Sequence, residues 1–434
     1  MNSTAAEAVG VRTEGGKTRT RAFLLFVLVL AFGALLLGGY LINKEKPPIP
    51  TQVIAADGST LFTGVDIKDG QQLYFTRGGQ YVGSIWGHGS YLAPDWSADY
   101  LHREGLHLAV RLGGLAAGDA DFKGQAAFEA LPKATQASLT ALVTEEVKTN
   151  RYDAVSGKLV FTAGQAEAYA LLSNYYTKLF REGDDKQGIQ QGIVKTEADG
   201  KKLTAFFAWL AWSAGTARPG QEVTYTANWP YDPLVGNLAT PGSLIWSIIS
   251  VVLLILGMAL AIFWYARYLH EDASGLKLAL TIAEPRPTGS QKAVVPYFIA
   301  AMALFVLQIP IGALTGHYYV EGGNFFGLDI SKILPYAALR TWHLQLAIFW
   351  IATCFLATGL FIGPFVGHEP KWQKPLVLGL LGAVVNVVLG SMSGTWASIQ
   401  GFFGNDGFLF GHQGYEYVDL GRFWQLLLIV GMLV

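Results

Sequence analysis

Long apolar runs separated by polar loops dominate this chain. Six stretches are candidates to cross a bilayer as helices: Ala22 to Ile42, Ser243 to Tyr265, Val294 to Leu314, Tyr336 to Pro364, Pro375 to Thr395, and Leu420 to Val434. A spanning helix needs roughly 20 apolar residues. The last stretch, ending "GRFWQLLLIVGMLV", is too short and has no closing polar flank, so the chain reads as part of a longer protein. Asn43 to Gly242 is different: polar and Gly-rich, with helix-like stretches "GQAAFEALPKATQASLTALVTEEVKTN" and "TAGQAEAYALLSNYYTKLFREG". Its early part, "TQVIAADGSTLFTGVDIKDGQQLYF", alternates apolar and polar residues around Gly turns, which predicts short strands ahead of mostly helix. The expected organisation is a cytoplasmic tail (1–21), an anchor helix (22–42), a soluble domain of ordinary size (43–242) and membrane helices (243–434). The first run is too long for a signal-peptide core and lacks a small-residue cleavage pattern, so it is expected to stay as an anchor.

Composition supports a membrane protein: 51% of the residues are apolar and 15% charged, against roughly 25% charged in soluble proteins. A net charge of −1 gives no reason to expect a nucleic acid partner. The single cysteine, Cys354, lies in an apolar run and reads as packing; no disulfide and no C-x-x-C-H haem attachment can form from it.

Basic residues orient the spans. Arg12, Lys17, Arg19 and Arg21 precede the first; Arg267, Lys277, Arg286 and Lys292 separate the second and third; Lys371 and Lys374 separate the fourth and fifth. These segments are expected in the cytoplasm. The soluble domain and the loops 315–335 and 396–419, which carry only Lys332 between the two of them, then face outward. The aromatics Trp209, Trp212, Trp229 and Tyr231 before the second span fit either a buried core or a belt at the outer interface.

Among eight histidines, His270 and His368 sit in cytoplasmic loops beside acidic residues and read as solvated surface. His343, in "ALRTWHLQLAIFW", lies about seven residues into the fourth span. An ionisable group at that depth is costly unless paired or coordinated, so it is a functional candidate; a histidine satisfied by a neighbouring helix is the alternative. His317 and Glu321, in "TGHYYVEGG", share one face if the third span continues helically through them. Tyr318 and Tyr319 between them read as interface aromatics.

"WGHGSYLAPDWSADYLHREG" (86–105), "TYTANWPYDPLVGN" (224–237), "TGHYYVEGGNFFG" and "TWHLQLAIFW" together resemble the quinol-dependent nitric oxide reductases of the haem-copper oxidase superfamily, in the same order along the chain. The resemblance implies a mainly α membrane protein: haem-copper-oxidase-like transmembrane helices with an extracytoplasmic cytochrome c-like domain lacking haem. It implies the bacterial inner membrane, with the large domain on the periplasmic side. It also implies that quinol is oxidised and that two NO, two electrons and two protons become N2O and water. The partners are quinol, nitric oxide and membrane lipid, and a homodimer is compatible with it.

By the same resemblance His343 is one axial ligand of a low-spin haem b, whose partner histidine is expected beyond Val434. The ligands of the non-haem iron that faces a high-spin haem b3, three histidines and a glutamate, are expected there too. A calcium ion bridging haem propionates would be held by Glu416, Tyr91 and the Gly89 carbonyl, since a hard cation takes oxygen ligands. Asp419 stands where relatives often carry a glutamate linked to proton entry. His317, Glu321 and Phe325 match the quinol pocket. Chemically, a quinol must shed two protons as its electrons leave and so needs acceptors of tunable proton affinity. Two other functions compete with this one: a quinol oxidase that reduces O2, and a non-enzymatic membrane-anchored module.

Overall fold

The computed structural model describes residues 4–90, 92–115, 123–268, 287–366, 369–412, 414 and 420–432. Residues 1–48 form one compact unit and 49–434 a second. The first is a single helix, α1 (Thr4–Glu45), apolar from Leu25 onward with its large apolar side chains exposed.

In the second unit, β1 (Gln52–Ala55) pairs antiparallel with β2 (Thr60–Thr63), with a register shift between Val53 and Ile54. Two further strands, β3 (Tyr152–Asp153) and β4 (Lys158–Phe161), complete a sheet of order β2-β1-β4-β3, with β4 parallel to β1. This second pair departs from the expectation of strands only near the start of the domain. Its signal is short: Leu159 and Phe161 point inward while Lys158 faces solvent. The preceding turn is held by Asp153, which accepts from the backbone of Val155 and Ser156, and by Gly157 at φ +69°.

The helices begin where a side chain can satisfy their free N–H groups. Capping boxes open α2 (Gly64–Thr76) at Thr63 with Asp66, α6 (Ala163–Glu182) at Thr162 with Gln165, and α7 (Glu197–Gly215) at Thr196 with Asp199. Asp95 caps α3 (Trp96–Leu112). The helical stretch expected after residue 123 is two helices, α4 (Lys123–Glu129) and α5 (Lys133–Lys148), because Pro132 lacks the N–H needed to continue the first.

These elements close around an aromatic core. Trp96 stacks on Phe207 (centroids 5.5 Å apart, 15° between planes), and Tyr100 stacks on Tyr176 (6.2 Å, 14°). Trp209 and Trp212 are buried in the same core. Tyr231 is 69% exposed and Trp229 half-buried, so the aromatic group before the second span divides between core and surface.

Beyond the soluble domain come α8 (Pro241–Tyr268), α9 (Gly289–Glu321), α10 (Tyr336–Val366) and α11 (Gln373–Ile399), then a short α12 (Gly407–Phe410) and α13 (Arg422–Met432). Among the described residues five helices are long and apolar enough to cross a membrane; α13 is shorter. The fold is a mainly helical, multi-pass membrane protein. Polar side chains tie the helices across their interfaces: Tyr297 donates to the Val377 carbonyl (2.6 Å), Gln291 to that of Phe361 (2.9 Å), and Trp342 to that of Met392 (2.8 Å).

α9 and α10 form an antiparallel hairpin closed by two short strands, β5 (Asn324–Phe325) and β6 (Leu328–Asp329). Phe326 and Gly327 turn the chain between them at φ +48° and +86°, the left-handed pair that a two-residue hairpin loop requires. The soluble domain sits against this end of the helices. Gly188 packs on Tyr336, Gly78 on Ala337, and Gly322 on Asp185.

Candidate functional site

α9 continues helically through His317 and Glu321 and stops at Gly322, whose φ of +72° a residue with a side chain would adopt only under strain. One turn apart, the two side chains meet: His317 Nε2 lies 3.5 Å from Glu321 Oε2 and 3.2 Å from the Asn324 carbonyl oxygen. Both neighbours are acceptors, so in the neutral ring Nε2 carries the proton and Nδ1 keeps its lone pair. Phe325, brought back by the hairpin, sets its ring edge-on to the imidazole at 4.8 Å. The structure thus gathers His317, Glu321 and Phe325 at one helix end. His317 is mostly covered (15% exposed) and Glu321 open (57%), an arrangement in which a flat aromatic diol could place one hydroxyl near a base and its ring near Phe325.

His343 is half-buried on α10, one helix away. Its Nδ1 faces the backbone carbonyl of Gln308 at 3.3 Å; the Gln308 amide in turn donates to the His343 carbonyl (3.3 Å) and accepts from Trp350 Nε1 (2.8 Å). The ring lies so close to Gly312 that a Cβ there would come within 2.7 Å of it. Gln308 and Gly312 therefore form a seat that selects the Nδ1–H tautomer and leaves Nε2 without a hydrogen-bond partner among the described residues. A metal-ligating histidine needs this arrangement, because its second nitrogen is normally fixed by an outer hydrogen bond. His343 thus fits a haem ligand, with Nε2 as the ligating atom.

Of the residues expected around calcium, Tyr91 and Glu416 lie outside the described residues, as do Asp419, His270 and His368. Gly89 is described, at φ +83° with open space around its Cα. Beside it the Ser90 hydroxyl is enclosed without a hydrogen-bond partner among the described residues. An unused oxygen in that loop suits a hard cation. No group of three or more His, Cys, Asp or Glu side chains is arranged to hold a metal ion among the described residues.

Two family models match the chain. The cytochrome c-like domain of the nitric oxide reductase NorB covers residues 50–231, and "Cytochrome C and Quinol oxidase polypeptide I" covers residues 292–434. Together the two matches support a NorB-like member of the haem-copper oxidase family. Within that family it is similar to the NorB chain of nitric oxide reductase from Stutzerimonas stutzeri, 30% identical over 134 residues, which amounts to 30% of this chain and 27% of that protein. The chain thus spans about a quarter of the length of this curated relative.

A seam between the two parts of the family fold adds residues that no sequence motif marks. His412, fully buried, bonds to the Thr76 carbonyl through Nε2 (3.1 Å) and accepts from the Gly414 amide at Nδ1 (3.1 Å). Ser398 donates to the same carbonyl (2.9 Å), and Arg77 at the end of α2 donates to the Ile399 carbonyl (3.3 Å). With both ring nitrogens engaged, His412 serves as a bolt and not as a metal ligand. Its signal in sequence, a lone histidine among glycines, is too weak to separate from a loop residue.

Proposed function

We propose that this chain serves a quinol-dependent nitric oxide reductase: a quinol is oxidised at His317, Glu321 and Phe325, and its electrons pass by way of a low-spin haem b held by His343 to the reduction of two NO to N2O and water. One observation carries the reading. Gly312, which seats the His343 ring, is five residues before His317 on the same helix, a rise of about 7.5 Å. Donor site and haem ligand are therefore within about one and a half helical turns of each other, toward the end of the helices that meets the soluble domain.

The chain's own residues do three things in this scheme. His317 and Glu321 accept hydrogen bonds and protons from the two-proton, two-electron donor, Phe325 packs its ring, and Gln308 with Gly312 fixes the imidazole of His343. A haem bound there supplies one-electron transfer. The non-haem iron and high-spin haem b3 of the acceptor site belong to the reading through the family and not through these residues. Calcium at the Gly89–Tyr91 loop, with Glu416, would tie the soluble domain to the membrane part, and Asp419 would serve proton entry. The positive-inside distribution of Lys and Arg favours the periplasmic side of the inner membrane for the soluble domain.

The test uses His317→Ala and Glu321→Gln in the haem-loaded protein. NO consumption is driven either by a soluble hydroquinone or by an N-alkylated phenylenediamine, which supplies electrons without protons. The hydroquinone-driven rate should fall about 10²-fold while the dye-driven rate persists. Equal loss with both donors overturns the donor site. Consumption of O2 in place of NO overturns the acceptor.

A further inference from the structure

Between the soluble domain and the β5–β6 hairpin lies a basin of about 650 Å³, open to solvent. Its charged lining comes from both sides: Arg181, Glu182, Asp185 and Lys195 from the soluble domain, Asp329 and Lys332 from the hairpin. The carboxylates differ in how they are held. Asp184, beside the basin, is spent on capping, accepting from the Lys186 and Gln187 backbone and from the Gln187 side chain. Asp329 accepts from Ser331 Oγ (2.5 Å) and faces Lys332 Nζ at 3.5 Å, contacts that hold its carboxyl below the usual carboxylate range. Asp185 has neither: its carboxylate makes no hydrogen bond or ion pair among the described residues. Burial, followed by the negative charges of Asp329 and Asp184, pushes its proton affinity up. Two carboxylates whose surroundings drive their affinities apart are a recurring device for moving a proton.

Position gives this device a source. Gly322 follows Glu321 directly, and a Cβ on it would come within 3.2 Å of Asp185 Cβ; one on Gly323 would come within 3.4 Å of Asp185 Oδ1. The two glycines that directly follow Glu321 therefore lie against Asp185, and their lack of a side chain is what permits so close an approach. Glu321 is open to solvent, so water can carry a proton from it along the glycine backbone toward Asp185.

We infer that the basin is the exit for protons released at the donor site, with Asp185 as the group that takes them from Glu321 and hands them to solvent. The inference rests on the donor-site reading above. When a hydroquinone becomes a quinone, both O–H bonds break. Two electrons leave for the haem iron as oxidant, one at a time, and two protons go to His317 and Glu321. Neither base can serve again until it is emptied. Glu321 passes its proton to ionised Asp185, and Asp185 releases it into the basin, where Asp329, kept charged by Ser331 and Lys332, favours outward movement. Arg181, Lys195 and Lys332 keep the basin from accumulating net negative charge.

The deciding variant is Asp185→Asn in the haem-loaded full protein, with Asp185→Glu as the conservative control. With a soluble hydroquinone, kcat should fall about tenfold while KM holds, and the loss should be confined to that donor. The limb of the pH profile on which the wild-type rate rises as Asp185 ionises should vanish in Asp185→Asn and return in Asp185→Glu. An unchanged hydroquinone-driven rate, or equal loss with the phenylenediamine donor, overturns the exit. The two readings fail separately. If His317→Ala is silent with hydroquinone, the donor site itself falls; if His317→Ala abolishes hydroquinone turnover and Asp185→Asn does nothing, only the exit falls.

Discussion

Every residue of α7 from Leu203 to Gly215 is buried, whereas every residue of α8 from Pro241 to Ala266 is exposed. Both are apolar on all sides, as a fully buried helix or a membrane span must be, and the difference lies in what surrounds them. α7 is wrapped by protein, so its polar members turn inward on their own helix: Thr204 donates to the Gly200 carbonyl and Ser213 to that of Leu210. α8 is open along its whole length from Pro241 to Ala266. α9 and α10 are intermediate, one face covered and one open, and their polar residues reach across to each other, as Gln308 and His343 do. A polar group in the wrapped helix is satisfied and inert, while one between two membrane helices marks work to be done.

The largest effect should come from breaking the wrapped region. Trp96 is fully buried between Phe207, Tyr176 and Phe180, so Trp96→Ala should cost roughly 3–5 kcal/mol. Leu253→Ala on α8, where the side chain is exposed, should cost less than about 0.5 kcal/mol. Limited proteolysis of the soluble domain in the two variants measures the contrast; equal susceptibility would remove it.

Glu104 sharpens the same contrast from within the core. It is fully buried on α3 with one carboxylate oxygen unpaired, and burial pushes its pKa up to about 7 despite a hydrogen bond from Gln165. An acid whose folded pKa is raised binds its proton more tightly when folded, so its contribution is intact below about pH 4.5 and is lost as pH rises to about 7. The loss is at most on the order of 3 kcal/mol. Glu104→Gln should flatten the fall in Tm across that window and raise Tm at neutral pH. A Tm profile identical to wild type would show that the carboxyl does not titrate there.

The same two regions explain what could be read from residues alone. The spans were legible because lipid demands about 20 apolar residues in a row, a constraint written in one dimension. The third span was legible to Leu314 and its continuation to Glu321 only as a condition, because Pro310, Gly312 and Gly316 are poor helix residues; the helix nevertheless runs on to Glu321. The β3–β4 pair was not, since Lys158–Phe161 is stabilised by a partner a hundred residues away, at Gln52–Ala55. His317 and Glu321 could be paired by helical spacing, but only the hairpin turn at Phe326 and Gly327 brings Phe325 back against the imidazole. Asp185 and the His343 seat at Gln308 and Gly312 are contacts between distant segments, invisible to any local pattern.

That seat gives the next prediction in size. Gly312→Ala places a methyl where the His343 ring now lies, an overpacking worth roughly 1–3 kcal/mol. The imidazole must tilt or the helices must part. Loaded with haem, the variant should show a shifted low-spin spectrum and midpoint potential while the soluble domain keeps its protease resistance. Gln308→Leu, which removes the side-chain contacts to Trp350 and the His343 carbonyl but keeps the backbone acceptor, should shift the spectrum less. If the two variants perturb the haem equally, the backbone carbonyl and Gly312 are not what orients the ring.

The smallest effect lies at the surface of the wrapped region. His102 on α3 bonds through Nδ1 to Asp232 (2.8 Å), pinning the segment that leads toward α8. The hydrogen bond to Asp232 raises the affinity of the ring for its second proton, against a smaller opposing effect of burial. For a histidine whose folded pKa is raised, the added stability is fully present below the unfolded value near 6.5 and disappears as pH climbs through the folded value. The imidazole is 41% exposed, so solvent screening holds the gain under about 1 kcal/mol. His102→Gln should therefore lower Tm slightly at about pH 6 and leave it unchanged at about pH 9, while salt should erase the difference at the lower pH. A loss that persists at the higher pH would make the contact one of packing, and the pin would then behave like the rest of the core around it.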